Sequence, residues 1–132
     1  MKRFVSLLAL TAWFALGAAG CANGAGQQAG NAGGQPVTVI AHLDVARTAL
    51  DRAVVLLDGY VAASRQQPGN LDIEVLRQLS NPNHFTLVEN WASRDAYDAH
   101  ITSSTAREFH RQLDPLLGSP HDERLYRDVG GG

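Results

Sequence analysis

The stretch NHFTLVENWASRDAYDAH, residues 83–100, holds the groups best suited to chemistry. Glu89 alternates with Phe85, Leu87 and Trp91, so a period of two sets a carboxylate on an otherwise apolar strand face. His100 follows on the helix into which that strand leads. A buried carboxylate needs a partner or a raised pKa, and imidazole titrates near neutrality, so the two together point to proton transfer. The structural alternatives are that Glu89 pairs with a buried arginine such as Arg124 or Arg127, and that His100 is a packed helix-end histidine bonded to a carbonyl.

Around this pair stand further candidates. His42, near the end of the first strand, is placed to orient Glu89 or to contact a ligand. Phe85, Trp91 and Phe109 are candidate walls for a flat aromatic ligand, with plain core as the alternative, and Tyr126 is a candidate hydrogen-bonding group. His84 begins a strand beside a turn, and His110 and His121 are expected to be exposed on a helix and in a loop. There is no His-Glu-x-x-His and no paired cysteine spacing, so a metal site is not expected, and no glycine-rich phosphate loop is visible. The formal net charge is −2, with no basic block, which excludes a nucleic-acid surface and favours small molecules or a second copy as partners.

The elements that must position these groups are short. VTVIAHLD, residues 37–44, reads as strand 1. Thr48 and Asp51 suggest a capping box, and Ala49, Leu50, Ala53, Val54, Leu57, Tyr60 and Val61 recur at helical spacing to about Arg65. A turn at Pro68-Gly69 leads to strand 2 over residues 71–78, and Asn81-Pro82-Asn83 turns into strand 3 over residues 84–91. Ser93 caps a short helix to about Ile101, a longer helix covers about residues 104–116 and buries Phe109, Leu113 and Leu117 or their neighbours, and residues 123–129 form strand 4. The order βαββααβ defines an α+β, ferredoxin-like fold, an antiparallel sheet with helices on one face. Strands 1 and 3 are expected side by side and parallel, which would bring His42 close to Glu89.

The first 20 residues read as a secretory signal peptide: Lys2 and Arg3, an apolar run, then small residues. Ala18-Ala19-Gly20-Cys21 resembles a bacterial lipobox, so Cys21 is the candidate lipidation site, with an ordinary signal-peptidase cut as the alternative. Residues 21–36, rich in Gly, Ala and Gln, are expected to be a flexible tether. Residues 37–129 form the domain and 130–132 a tail. The protein is thus expected to be exported and lipid-anchored in the cell envelope.

VTVIAHLD, the Arg65-x-x-Pro68-Gly69-Asn70 turn, NPNHFTLVENWAS, Asp98-Ala99-His100 and ERLY together resemble the antibiotic biosynthesis monooxygenase domain, in its quinol monooxygenase branch. The resemblance implies a dimeric α+β barrel whose outer sheet faces pack together, with a pocket between helices and sheet. It also implies oxidation of a small quinol or phenol by dioxygen without flavin or metal. Such chemistry needs a base near neutral pKa, a donor to hold the substrate anion, and an apolar cavity. His100, Glu89 and His42 are the candidates for proton transfer. Thr105 stands where many relatives carry a second histidine ahead of the helix phenylalanine, so a mechanism needing two helix-borne imidazoles does not carry over. Because one fold hosts several chemistries, a noncatalytic envelope module binding a quinone or haem, and a cofactor-free isomerase, stay open.

Overall fold

The computed structural model describes residues 34–130. The signal peptide, the Cys21 lipidation site, most of the tether and the last two residues lie outside the described residues. Four strands, β1 (Val37–Asp44), β2 (Asn70–Arg77), β3 (His84–Trp91) and β4 (Asp122–Tyr126), form one sheet in the order β2-β3-β1-β4. Helices α1 (Leu50–Ser64), α2 (Arg94–Ile101) and α3 (Ser104–Leu113) complete a ferredoxin-like α+β fold.

Every strand pair is antiparallel, including β1 with β3. The expectation of a parallel central pair is therefore corrected. The α1 crossover returns β2 parallel to β1, the hairpin after β2 reverses the chain, and β3 enters between them running the opposite way. Adjacency of strands 1 and 3 follows from the element order, but their direction follows from the hairpin. The register sets Val39 opposite Glu89 and His42 opposite Thr86.

Alternation sorts the sheet into two faces. Val37, Val39, Ala41 and Leu43 of β1 and Phe85, Leu87, Glu89 and Trp91 of β3 are buried beneath the helices. The other face carries Thr38, Ile40 and His42 beside Thr86, Val88 and Asn90, with Thr38 Oγ1 donating to Asn90 Oδ1 at 2.7 Å. On α1, Ala53, Leu57, Tyr60 and Ser64 are buried at the three- and four-residue intervals of one helical stripe. They pack with Phe109, Leu113 and Leu116 over Ala41, Leu43, Phe85 and Leu87. A second apolar cluster, Val37, Val39, Trp91 and Tyr97, lies at the other end of the sheet.

Three boundaries differ from expectation, each for a local reason. Residues Arg47–Ala49 form a 3-10 turn ahead of α1, so Thr48 is already helical and cannot adopt the extended geometry of an N-cap; no side chain caps α1. Helix α3 ends at Leu113 and tightens into a 3-10 turn at Asp114–Leu116, since Pro115 lacks the N–H that would continue the ladder; Leu117's neighbour Leu116 is the buried one of the two. Strand β4 stops at Tyr126 because its ladder partner on β1, Thr38, is one residue from that strand's start.

Candidate active site

Glu89 sits where the two apolar clusters meet, between Leu87 and Trp91 on the buried face of β3, and is 3% exposed. Among the described residues no arginine reaches it: Arg124 is an exposed partner of Asp122 on β4. Its oxygens instead meet two ring-borne groups. Trp91 Nε1 donates to Oε2 at 2.8 Å, and the Tyr60 hydroxyl lies 3.0 Å from Oε1.

His100 approaches from above. Ser93 caps α2, accepting from Ala96 N at 3.1 Å, and the helix buries Tyr97 and His100 one turn apart on its inner face. The imidazole stacks on Trp91 at 4.4 Å between centroids, and its Nε2 lies 2.6 Å from the Tyr60 hydroxyl and 3.7 Å from Glu89 Oε2. On the other side of the ring, Nδ1 is 2.7 Å from Gln67 Oε1. A carbonyl oxygen only accepts, so Nδ1 carries a proton and, in the neutral ring, Nε2 is the acceptor. Gln67 is held there by the turn after α1: its N–H donates to Ser64 O at 3.0 Å, and its carbonyl accepts from Asn70 N at 3.2 Å. Gly69 closes the turn at φ +82°, with its carbonyl accepting from Ala92 N at 2.8 Å.

Burial pushes the Glu89 carboxyl up from its ordinary range, against the pull of the Trp91 and Tyr60 hydrogen bonds. Burial also lowers His100 to about 4, with His110 adding to the effect. Desolvation and the nearby Glu89 drive the Tyr60 phenol far above its usual value, so it stays protonated. One arrangement that fits these distances is a neutral chain: a protonated Glu89 donates to the Tyr60 oxygen, Tyr60 donates to Nε2, and Nδ1–H donates to Gln67. Shifting two protons along this chain gives the alternative, in which the imidazolium donates to Tyr60 and Tyr60 donates to a Glu89 carboxylate. Both states leave every polar atom of the chain paired, which makes the set a proton relay.

The relay borders a groove of about 600 Å³ between α1 and α3. Val55, Leu56, Ala63, Tyr60 and Phe109 form its apolar surface, while Arg52, Thr105, Glu108 and Gln112 supply polar groups. Tyr60 and Phe109 stack face to face at 3.8 Å, so one residue both lines the groove and bridges the buried acid and base. The groove is thus walled by helices, not by helix and sheet as expected.

Of the candidate residues, the fold brings Glu89, Trp91, His100 and Phe109 to this region. His42 is placed elsewhere: alternation along β1 puts it on the face opposite Val39, Ala41 and Leu43, and the antiparallel register sets it beside Thr86 rather than Glu89, with Nδ1 3.2 Å from Thr86 Oγ1. Phe85 is core under α1 and α3, and Tyr126 lies beside Val37 and Arg94 at the end of the sheet. Tyr60 and Gln67 went unrecognised as relay members in the sequence. The available signal for Tyr60 was that a phenol on a buried helical stripe must find a partner for its hydroxyl. Among the described residues, the set able to ligate a metal is a different one, His110, Asp114 and His121.

The topology defines an α+β protomer of ferredoxin-like fold, with a carboxylate–imidazole pair at its centre. Residues 36–112 match the antibiotic biosynthesis monooxygenase family, and the chain belongs to that family. Rv0793 of Mycobacterium tuberculosis superposes with a TM-score of 0.70 at 24% identity, covering 74% of this chain and 98% of that one. A solved antibiotic biosynthesis monooxygenase gives a TM-score of 0.68 at 24% identity over 70% of this chain and 98% of that one. At such identity these likenesses bear on the fold. An uncharacterized protein of Synechocystis is 24% identical over 92 residues, which are 70% of this chain and 63% of that protein's length.

Proposed function

We propose that the domain is a cofactor-independent monooxygenase that oxidises a small quinol or phenol with dioxygen. In this reading it is a homodimer joined through its outer sheet faces, exported and held at the cell envelope by a lipid on Cys21. The observation that carries the catalytic part is the Tyr60 hydroxyl, set between a buried carboxylate and a buried imidazole while its ring lines an apolar groove.

Dioxygen in its triplet ground state accepts single electrons from electron-rich anions far better than from neutral phenols, so the decisive step is loss of the substrate's phenolic proton. A flat substrate lying against Tyr60 and Phe109 passes that proton toward the relay, where neutral His100 Nε2 is the acceptor. One electron then moves from the anion to dioxygen, the radicals combine in a C–O bond, and the O–O bond breaks with one oxygen retained and the other leaving as water. For a hydroquinone the balance is QH₂ + O₂ → hydroxyquinone + H₂O, with no external reductant. The apolar walls favour this course by excluding water from the intermediate.

The test is oxygen uptake by the full-length protein mixed with an anaerobically prepared naphthohydroquinol. Uptake stoichiometric with hydroxyquinone, abolished in His100→Ala with the fold retained, supports the reading; uptake unchanged in that variant removes His100 from the mechanism. Conversion of a substrate without oxygen consumption would instead identify an isomerase, which the same relay would serve. Haem ligation by His100 is disfavoured because both ring nitrogens are already engaged within the protein.

A further inference from the structure

The end of α3 and the loop behind it gather three ligating side chains that the relay does not use. His110 and Asp114 are four residues apart and so share one helical face. His121 returns to them through the turn at Gly118, Ser119 and Pro120. That turn starts from a fixed point: Gly118 N donates to Asp44 O at 2.7 Å, Ala46 N donates to Leu116 O at 2.8 Å, and Val45 bridges to Leu117. The two imidazoles stack at 5.3 Å between centroids, His121 Nδ1 lies 3.9 Å from Asp114 Oδ1, and one ligand atom of each residue falls within 4.8 Å of the others. Both histidines are half-buried, while the carboxylate is open to solvent.

From this geometry we infer that His110, Asp114 and His121 form a binding site for a divalent transition-metal ion of the zinc type. Two imidazole nitrogens and one carboxylate oxygen suit a borderline ion, whereas magnesium and calcium prefer all-oxygen shells. Metal–ligand bonds of about 2.0–2.2 Å in a tetrahedron set ligand atoms roughly 3.3 Å apart, so the present spacing closes by small side-chain rotations, leaving the fourth position to water. An ion pair between His121 and Asp114 does not account for the third member. The ion ties the end of α3 to the segment leading into β4, next to the turn that carries Phe109, whose ring meets His110 edge-on at 5.4 Å. By tying these two segments together the ion steadies one wall of the groove.

The test uses the full chain prepared without a polyhistidine tag, stripped with EDTA and freed of chelator. Titration with Zn²⁺ against a chromophoric chelator is expected to give one ion per chain and a rise in thermal midpoint that EDTA reverses. His121→Ala, a loop change that spares the helix, is expected to weaken Zn²⁺ binding at least tenfold while leaving the metal-free midpoint in place. Co²⁺ is expected to give visible d–d bands that the same variant loses. Absence of binding at micromolar Zn²⁺, equal binding by His121→Ala, or an equal response to Mg²⁺ overturns the inference.

Discussion

At the scale of single residues, the relay makes Tyr60 the atom-level link between acid and base. Tyr60→Phe keeps the stack on Phe109 but strands Glu89 Oε1 and His100 Nε2 in a buried site. The expected cost is about 1–3 kcal/mol in urea unfolding, together with about a hundredfold loss in kcat for oxygen uptake, the lower end of what proton-transfer groups contribute. A full-rate variant would show that the proton travels another way. Glu89→Gln separates the two titrations. With a folded pKa raised above 4.5, Glu89 holds a proton in the folded state that the unfolded chain has released, so its contribution is fully present below pH 4.5 and is lost as pH rises through the folded value. His100, lowered from 6.5 to about 4, acts oppositely, its contribution being lost as pH falls across that interval. The stability of the wild type minus that of Glu89→Gln should accordingly fall as pH is raised above 4.5; denaturant titrations at a series of pH values read this difference directly, and a flat or rising difference would contradict a buried, protonated carboxyl.

At the scale of elements, the turn between α1 and β2 sets the imidazole's tautomer through Gln67. Gly69 lets that turn close: its φ of +82° is strained for any side chain, and a Cβ there would stand 2.5 Å from Ala96 Cβ on α2. Gly69→Ala is expected to cost more than the roughly 1–2 kcal/mol of left-handed backbone strain alone, and to push α2 outward so that oxygen uptake falls with stability; unfolding curves and initial rates on the same samples check it. What could be read in the sequence divides along the same line. The alternation of β3 and the Ser93 cap of α2 are local, and both were legible, as was the placement of Glu89 with Trp91. The direction of β3 against β1 depends on a hairpin and a crossover taken together; misreading it, and passing over the alternation that puts His42 on the other face from Val39 and Ala41, drew His42 toward the site. Tyr60 and Gln67 were obscured because a helical-stripe aromatic reads as core and a glutamine before Pro-Gly reads as turn until a distant partner is known.

At the scale of the whole molecule, the outer sheet face sets Ile40 directly across from Val88, with Thr38, His42, Thr86 and Asn90 around them. If this face joins two copies, Ile40→Glu sets like charges against each other at its centre and should convert a dimer to a monomer in light scattering, with the relay's fold retained in each protomer; an unchanged mass would point to another surface. The position of β1 has one more consequence. The first strand of the domain lies inside the sheet, and its neighbours are β3, which begins at His84, and β4, which begins at Asp122. Both of its edges therefore wait on segments made much later in synthesis, and loop closure must precede any gain from pairing. Folding is expected to be slow for a chain of this size and to complete only after β4 has left the ribosome, with the apolar segment VTVIAHL exposed in the interval as the part most in need of a chaperone.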